Sequence, residues 1–174
     1  MRDLTRALSG DLAGWRGLEP RLGESELVGA TGAARAGWDP GERVRSAFRF
    51  RVLRLERARA PELVEAWFRA GDEGAAIVEF DPPAGDVAAL VREYGEAQLI
   101  QGSRLFDPDG SVEDHVYAER GITLSVAHPH EADVEAGEWR RIVHVQLYPA
   151  TSTTDWVAEL GPSGQELRPY PPTL

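Results

Sequence analysis

Residues 78–100 run VEFDPPAGDVAALVREYGEAQLI, and the fold turns on how this stretch is read. Val78, Glu79 and Phe80 alternate apolar and polar as a strand does. Pro82 and Pro83 end that strand, and Asp86 stands where a helix N-cap belongs. Val87, Leu90, Val91 and Tyr94 then recur at helical spacing. Gly95 follows at the C′ position, where left-handed backbone stops a helix. Leu99 and Ile100 close the stretch as an apolar pair.

Parts of this stretch recur elsewhere, in the same order. Tyr94-Gly95-Glu96 and the apolar pair after it match Leu22-Gly23-Glu24 with Leu27-Val28, at an offset of 72. Trp38-Asp39-Pro40 matches Phe106-Asp107-Pro108 at an offset of 68. Val78-Glu79-Phe80-Asp81-Pro82 matches Val145-Gln146-Leu147-Tyr148-Pro149 at 67, and Val87-Ala88-Ala89-Leu90 matches Val157-Ala158-Glu159-Leu160 at 70. Near-constant offsets in one order predict a tandem duplication, with loop insertions accounting for the drift. The units are residues 1–83 and 84–161, followed by a tail over 162–174 whose Pro169, Pro171 and Pro172 predict an extended arm.

Each unit reads as a helix followed by strands. Leu12, Trp15, Leu18 and Leu22 give the first unit a less regular helical stripe, shortened by Pro20. Val44, Ser46, Phe48, Phe50 and Val52 alternate with Arg43, Arg45, Ala47, Arg49 and Arg51 as one long strand. The runs 63–69 and 75–80 are joined by Gly71-Asp72-Glu73-Gly74, a hairpin signal. In the second unit, Asp107-Pro108-Asp109-Gly110 predicts a turn, with strands over 112–118, 122–127 and 142–148 and a short helix over 155–160. The expected fold class is α+β: a tandem duplication of a helix plus antiparallel sheet unit, helices on one face of the sheet, all in one compact domain.

This pattern of helix, Leu22-Gly23-Glu24 or Tyr94-Gly95-Glu96, then a small antiparallel sheet resembles the tandem repeats of the β-lactamase-inhibitory-protein family. It is also similar to the small outer-membrane assembly lipoprotein repeats of the SmpA/OmlA type. The proline of that family turn, the paired cysteines and the lipid-anchor cysteine are absent here. The resemblance implies a non-enzymatic protein that grips a partner protein across an open sheet face, in an inhibitor-like or immunity-like role.

Composition narrows the classes. A formal net charge of −10 argues against nucleic acid as a partner and fits a basic one. Residues 1–69 carry a balance of +3 and residues 70–174 one of −13. Either the first part's arginines pair with the second part's acids, or the surface is bipolar. With no cysteine, disulfides and thiolate chemistry are excluded. All 19 basic residues are arginine, with no lysine and no asparagine, the mark of a GC-rich genome. No apolar run approaches a membrane span, and residues 1–10 lack an apolar signal core, so the expected location is the cytoplasm.

Strand alternation then proposes the surface. Arg45, Arg49 and Arg51 point away from the helices if the even-numbered apolar residues face the core. By the same parity Trp67, Arg69, His115, Tyr117, His144 and Tyr148 point outward, a composition suited to protein recognition. Two alternatives stay open: the arginines pair across strands with Glu65 and Glu79, and Trp67 is core, since a slip of one residue reverses every side chain. A further function alternative is a small-ligand carrier or enzyme with a pocket lined by His115, Tyr117, His144 and Tyr148. A third is a structural subunit docking through the tail.

No nucleophile elbow and no glycine-rich phosphate loop is present, so catalysis has little support. His115 beside Asp114, and His144 near Glu79 or Asp81, are the acid–base pairs to watch. His128 and His130, with Glu131 and Asp133, have a metal-like spacing, but their acidic segment reads as a solvated loop. Neither a metal nor another cofactor is expected.

Overall fold

The computed structural model describes residues 2–19, 21–83, 87–103, 110–129, 140–161 and 167–168. Its helices are α1 (Arg2–Leu8), α2 (Glu24–Thr31), α3 (Val87–Tyr94) and α4 (Thr153–Glu159). Its strands are β1 (Arg35–Trp38), β2 (Arg43–Arg45), β3 (Phe48–Glu56), β4 (Leu63–Arg69), β5 (Ile77–Phe80), β6 (Leu99–Gly102), β7 (Gly110–Tyr117), β8 (Ile122–Pro129), β9 (Arg141–Leu147) and β10 (Leu167–Arg168). The fold is α+β, as expected. All ten strands join one antiparallel sheet in the order β1-β3-β4-β5-β9-β8-β7-β6-β10, with β2 also on β3.

The seam between the two halves of the chain is the β5–β9 pair. There Val78 faces Leu147, Glu79 faces Gln146 and Phe80 faces Val145. Side chains on one face of the central strands are apolar: Leu53, Leu55, Val64, Ala66, Val78, Phe80, Leu124, Val145 and Leu147 are at most 2% exposed. They join a core with Leu4, Leu8 and Leu27 of the first two helices and with Val87, Leu90 and Tyr94 of α3.

The opposite face is not bare. Phe50, Ile77, Val116 and Tyr148 form a second apolar cluster there with Trp156 and Leu160. Helix α4 therefore packs on the face away from α1, α2 and α3, which corrects the expectation that all helices share one layer. Its amphipathic turn carries one large apolar residue, Trp156, and that ring stands 6.4 Å from Tyr148 across the sheet surface.

The helix expected over Leu12 to Leu22 does not form. Leu12, Trp15, Leu18 and Leu22 are buried as the pattern requires, at 2–4% exposure. But Gly10, Gly14 and Gly17 take φ of +88°, +75° and +111°, which breaks any helical run between them. The segment instead runs through tight turns and irregular backbone, pinned by Leu18 N donating to Tyr148 O and Trp15 Nε1 to Gly121 O. Gly23 accordingly precedes helix α2 as its N-cap, whereas Gly95 follows α3 at φ +78°. The two Gly-Glu motifs are thus at opposite helix ends. The glycine of α2 that corresponds to Gly95 is Gly32, at φ +62°.

The strand expected to be continuous over 43–52 is a hairpin. Ser46 has φ +54°, and Arg43 pairs with Phe50 and Arg45 with Phe48. Asp86, the Asp107-Pro108-Asp109 turn and most of the proline-rich tail lie outside the described residues. No helix among the described residues is long and apolar enough to cross a membrane.

Candidate functional site

On the α4 face the sheet carries polar residues at the parity positions that α4 leaves uncovered. They line a cavity of about 340 Å³. The β2–β3 hairpin forms one wall with Arg43, Val44 and Arg45, and Glu65 and Trp67 of β4 lie under it. Glu79 of β5 with His144 and Gln146 of β9 form the floor, and Asp114 and Ser125, with Ser103, close the far side.

The Ser46 turn places Arg45 here. Folding β2 back on β3 puts Arg43 and Arg45 on the same face as Phe48 and Phe50, rather than away from it. The Arg45 side chain is 13% exposed, and its guanidinium donates to Glu79 Oε1 at 2.6 Å, Gln146 Oε1 at 2.7 Å and Leu160 O at 2.9 Å. Arg43 bridges Asp39 and Glu65, and Arg54 reaches the same two acids. The Arg43 and Arg45 guanidinium carbons lie 5.3 and 5.9 Å from the centroid of the Trp67 ring. Trp67 Nε1 is buried with no hydrogen-bond partner among the described residues.

His144 ties the floor together. Its Nδ1 is 2.7 Å from Asp81 Oδ1 and its Nε2 is 4.0 Å from Glu79 Oε2. Burial alone would lower the imidazole pKa, but the bond to Asp81 and the charges of Glu79 and Asp81 outweigh it and hold the pKa above its ordinary 6.5. The same bond pulls the Asp81 carboxyl below its ordinary value, against a smaller opposing effect of burial. Asp114 is 8% exposed and, among the described residues, accepts one hydrogen bond, from Ser125 Oγ at 2.6 Å. Tyr148 lies beneath the cavity, wholly buried, with its hydroxyl 2.9 Å from Thr123 Oγ1; burial pushes its pKa far up.

The nine residues expected to share one open face are dispersed. Arg45, Trp67 and His144 line the cavity, and Tyr148 supports it. Arg69 sits beside it, paired with Glu159 of α4 and 4.3 Å over the Phe48 ring. Arg49 points to solvent, 3.4 Å from Glu42. Arg51 is on the helix-covered face, stacked 4.0 Å over Trp38. His115 and Tyr117 are on that face too: the register sets them opposite Leu124 and Ile122, and Tyr117 packs edge-on to Tyr94 at 5.2 Å. An open, continuous recognition face and a single pocket lined by His115, Tyr117, His144 and Tyr148 are therefore both corrected.

Asp114 and Ser125 were missed as cavity residues. Their sequence signal is a polar residue at a position whose alternate neighbours, Val112 and Val116 for Asp114 and Ala127 for Ser125, are apolar. His130 lies outside the described residues, while His128 is grouped with His115 and Glu113 on the other face. No family model, curated protein or solved structure matches the chain.

Proposed function

We propose that this chain is a non-enzymatic binding protein that takes a small polar ligand, one carrying a cationic or amide donor group, into the cavity of the α4 face. The observation behind this is Asp114: its carboxylate lines the cavity at 8% exposure and, among the described residues, accepts one hydrogen bond from a neutral donor, so it has acceptor capacity left for a ligand donor. The arginines already bind protein acceptors and act as a rigid frame. A volume of about 340 Å³ falls at the low end of small-molecule sites, roughly 300–1,000 Å³.

We read the chain itself as a tandem duplication of a helix followed by four strands. In support, α2-β1-β3-β4-β5, with the short hairpin strand β2 as an insertion, follows the same order as α3-β6-β7-β8-β9. The offset of 67 maps Val78 opposite Leu147 onto Val145 opposite Phe80, so the seam pairs with itself about Glu79 and Gln146. Arg45 holds both of those residues, which puts the cavity at the junction of the units.

The test is an NMR screen of free amino acids, polyamines and amino sugars, followed at the Trp67 indole. Binders should shift that resonance in the wild type and lose roughly tenfold or more in affinity in Asp114→Asn, the cost of one charge-assisted hydrogen bond. A screen in which no compound moves Trp67 would overturn the reading.

A second reading keeps the inhibitor-like role that the family resemblance implies, with a basic side chain of a partner protein entering the cavity. It is favoured by Val44, 68% exposed at the rim. Val44→Ser would then weaken a protein partner, which covers the exposed rim, more than it weakens a small ligand held at the cavity floor.

A further inference from the structure

We infer that Glu113, His115 and His128 form a binding site for one divalent transition-metal ion of the zinc class, on the sheet face opposite the cavity. It is independent of the ligand proposed for the cavity.

The register of β7 on β8 assembles it. Glu113 and His115 are two apart on β7 and share a face. His128 lies opposite Ser111 on β8, and Glu113 opposite Val126, so all three side chains leave the sheet on the same side. His128 Nε2 is 3.2 Å from Glu113 Oε2, and His115 Nε2 is 3.9 Å from the same oxygen. The three ligand atoms all lie within 4.8 Å of one another. Around a single zinc ion, bonds of about 2.0–2.1 Å put tetrahedral ligand atoms about 3.3 Å apart, a contraction that small side-chain rotations supply.

The second observation is the state of the nitrogens. Nε2 of His115 and Nε2 of His128 are both buried without a hydrogen-bond partner among the described residues. The contact from His128 to Glu113 is short but lacks the alignment of a hydrogen bond. The His115 side chain is 8% exposed. Two orphaned imidazole nitrogens aimed at one carboxylate are costly in a folded protein unless something accepts their lone pairs. Burial holds both imidazoles below their ordinary pKa, with the Arg140 charge adding to it, so each is the neutral ring that a metal requires. Two imidazoles and one carboxylate suit zinc and its neighbours, not the hard cations that take oxygen ligands alone. Three protein ligands leave the remaining position to water or to a bound group.

The experiment is calorimetric titration of the full chain with Zn²⁺, alongside Co²⁺ titration followed by absorbance and by histidine NMR. The wild type should bind one Zn²⁺ per chain. Glu113→Gln and His128→Gln should each weaken binding by at least about tenfold, as loss of a ligand does. Both side chains are partly exposed, at 43% and 21%, so the fold should tolerate the changes, which circular dichroism checks. If a variant unfolds, the wild type decides alone: Co²⁺ should broaden the His115 and His128 ring resonances first. No stoichiometric binding, unchanged affinity in folded variants, or broadening centred on His144 would each overturn the site.

Discussion

Three charges meet at His144, and they set a pH window. Asp81 at 2.7 Å and Glu79 at 4.0 Å favour the imidazolium. Because the folded pKa of His144 is raised, the pair contributes stability below the ordinary 6.5 and loses it as pH rises through the raised value. Because the Asp81 pKa is lowered, its share is present above the ordinary 3.8 and is lost as pH falls through the depressed value. Stability from this pair should therefore peak in mildly acidic solution. An NMR titration should place the His144 pKa above 6.5 in the wild type and closer to it or below in Asp81→Asn; an unchanged value would refute the coupling. The pairing of His144 with Asp81 or Glu79 was legible because strand parity alone puts them on one face. The position of Arg45 was not: its parity depends on Ser46 adopting a left-handed turn, which no glycine or asparagine announces.

Arg57 makes a related point about buried charge. It is 9% exposed, with its guanidinium on Thr31 O at 2.7 Å and Pro61 O at 3.0 Å. Burial lowers its pKa, with the nearby Arg59 adding to the effect. The cation closes the C-terminal carbonyls of α2, where the helix dipole favours it. Arg57→Ala should cost about 2 kcal/mol in urea denaturation, the range for hydrogen bonds to a charged group. A cost below about 0.5 kcal/mol would mean that water replaces the guanidinium at no penalty.

Among the elements, α3 and the strands β4, β7, β8 and β9 were readable, and the first helices and the β2–β3 hairpin were not. Helix α3 occupies the span its apolar spacing and Gly95 mark, and β4 covers 63–69 as its alternation requires. Helix α2 has the sequence ESELVGAT, too polar for its stripe to stand out, and Leu27 and Ala30 are its main buried contacts. Helix α4 was readable as a helix but not as the cover of the second face, because a seven-residue span does not disclose which surface it meets. Its docking depends on Trp156, which is 1% exposed. Trp156→Ala should cost about 3–5 kcal/mol, the usual loss for a large aromatic in a core. It should also loosen the carbonyl of Leu160 that holds Arg45, so ligand binding in the cavity should weaken with stability. Trp156→Phe keeps most of the packing and, since the indole Nε1 has no partner among the described residues, should cost far less. A loss equal to that of the alanine variant would show that the docking depends on the indole itself.

At the scale of the molecule, the two halves of the chain are joined in one sheet. Their charge difference is only partly neutralised between them. Arg69 with Glu159 crosses from one half to the other, whereas Arg45 with Glu79 and Arg21 with Asp72 stay within the first. Arg43, Arg49 and Arg54 close on acids of their own half. What joins the halves is the β5–β9 seam and a core in which Val78 and Phe80 pack with Val145 and Leu147. Cutting there would expose a four-residue strand that is buried at every position, together with its unpaired backbone edge. The chain should thus unfold in one step, with tryptophan fluorescence and far-ultraviolet circular dichroism giving coincident urea transitions. A fragment ending at residue 83 should show no cooperative transition and should self-associate through the freed β5 edge. A monomeric fragment that unfolds cooperatively would mean that the first half carries its own core, and the cavity would then lie between two autonomous units instead of within one sheet.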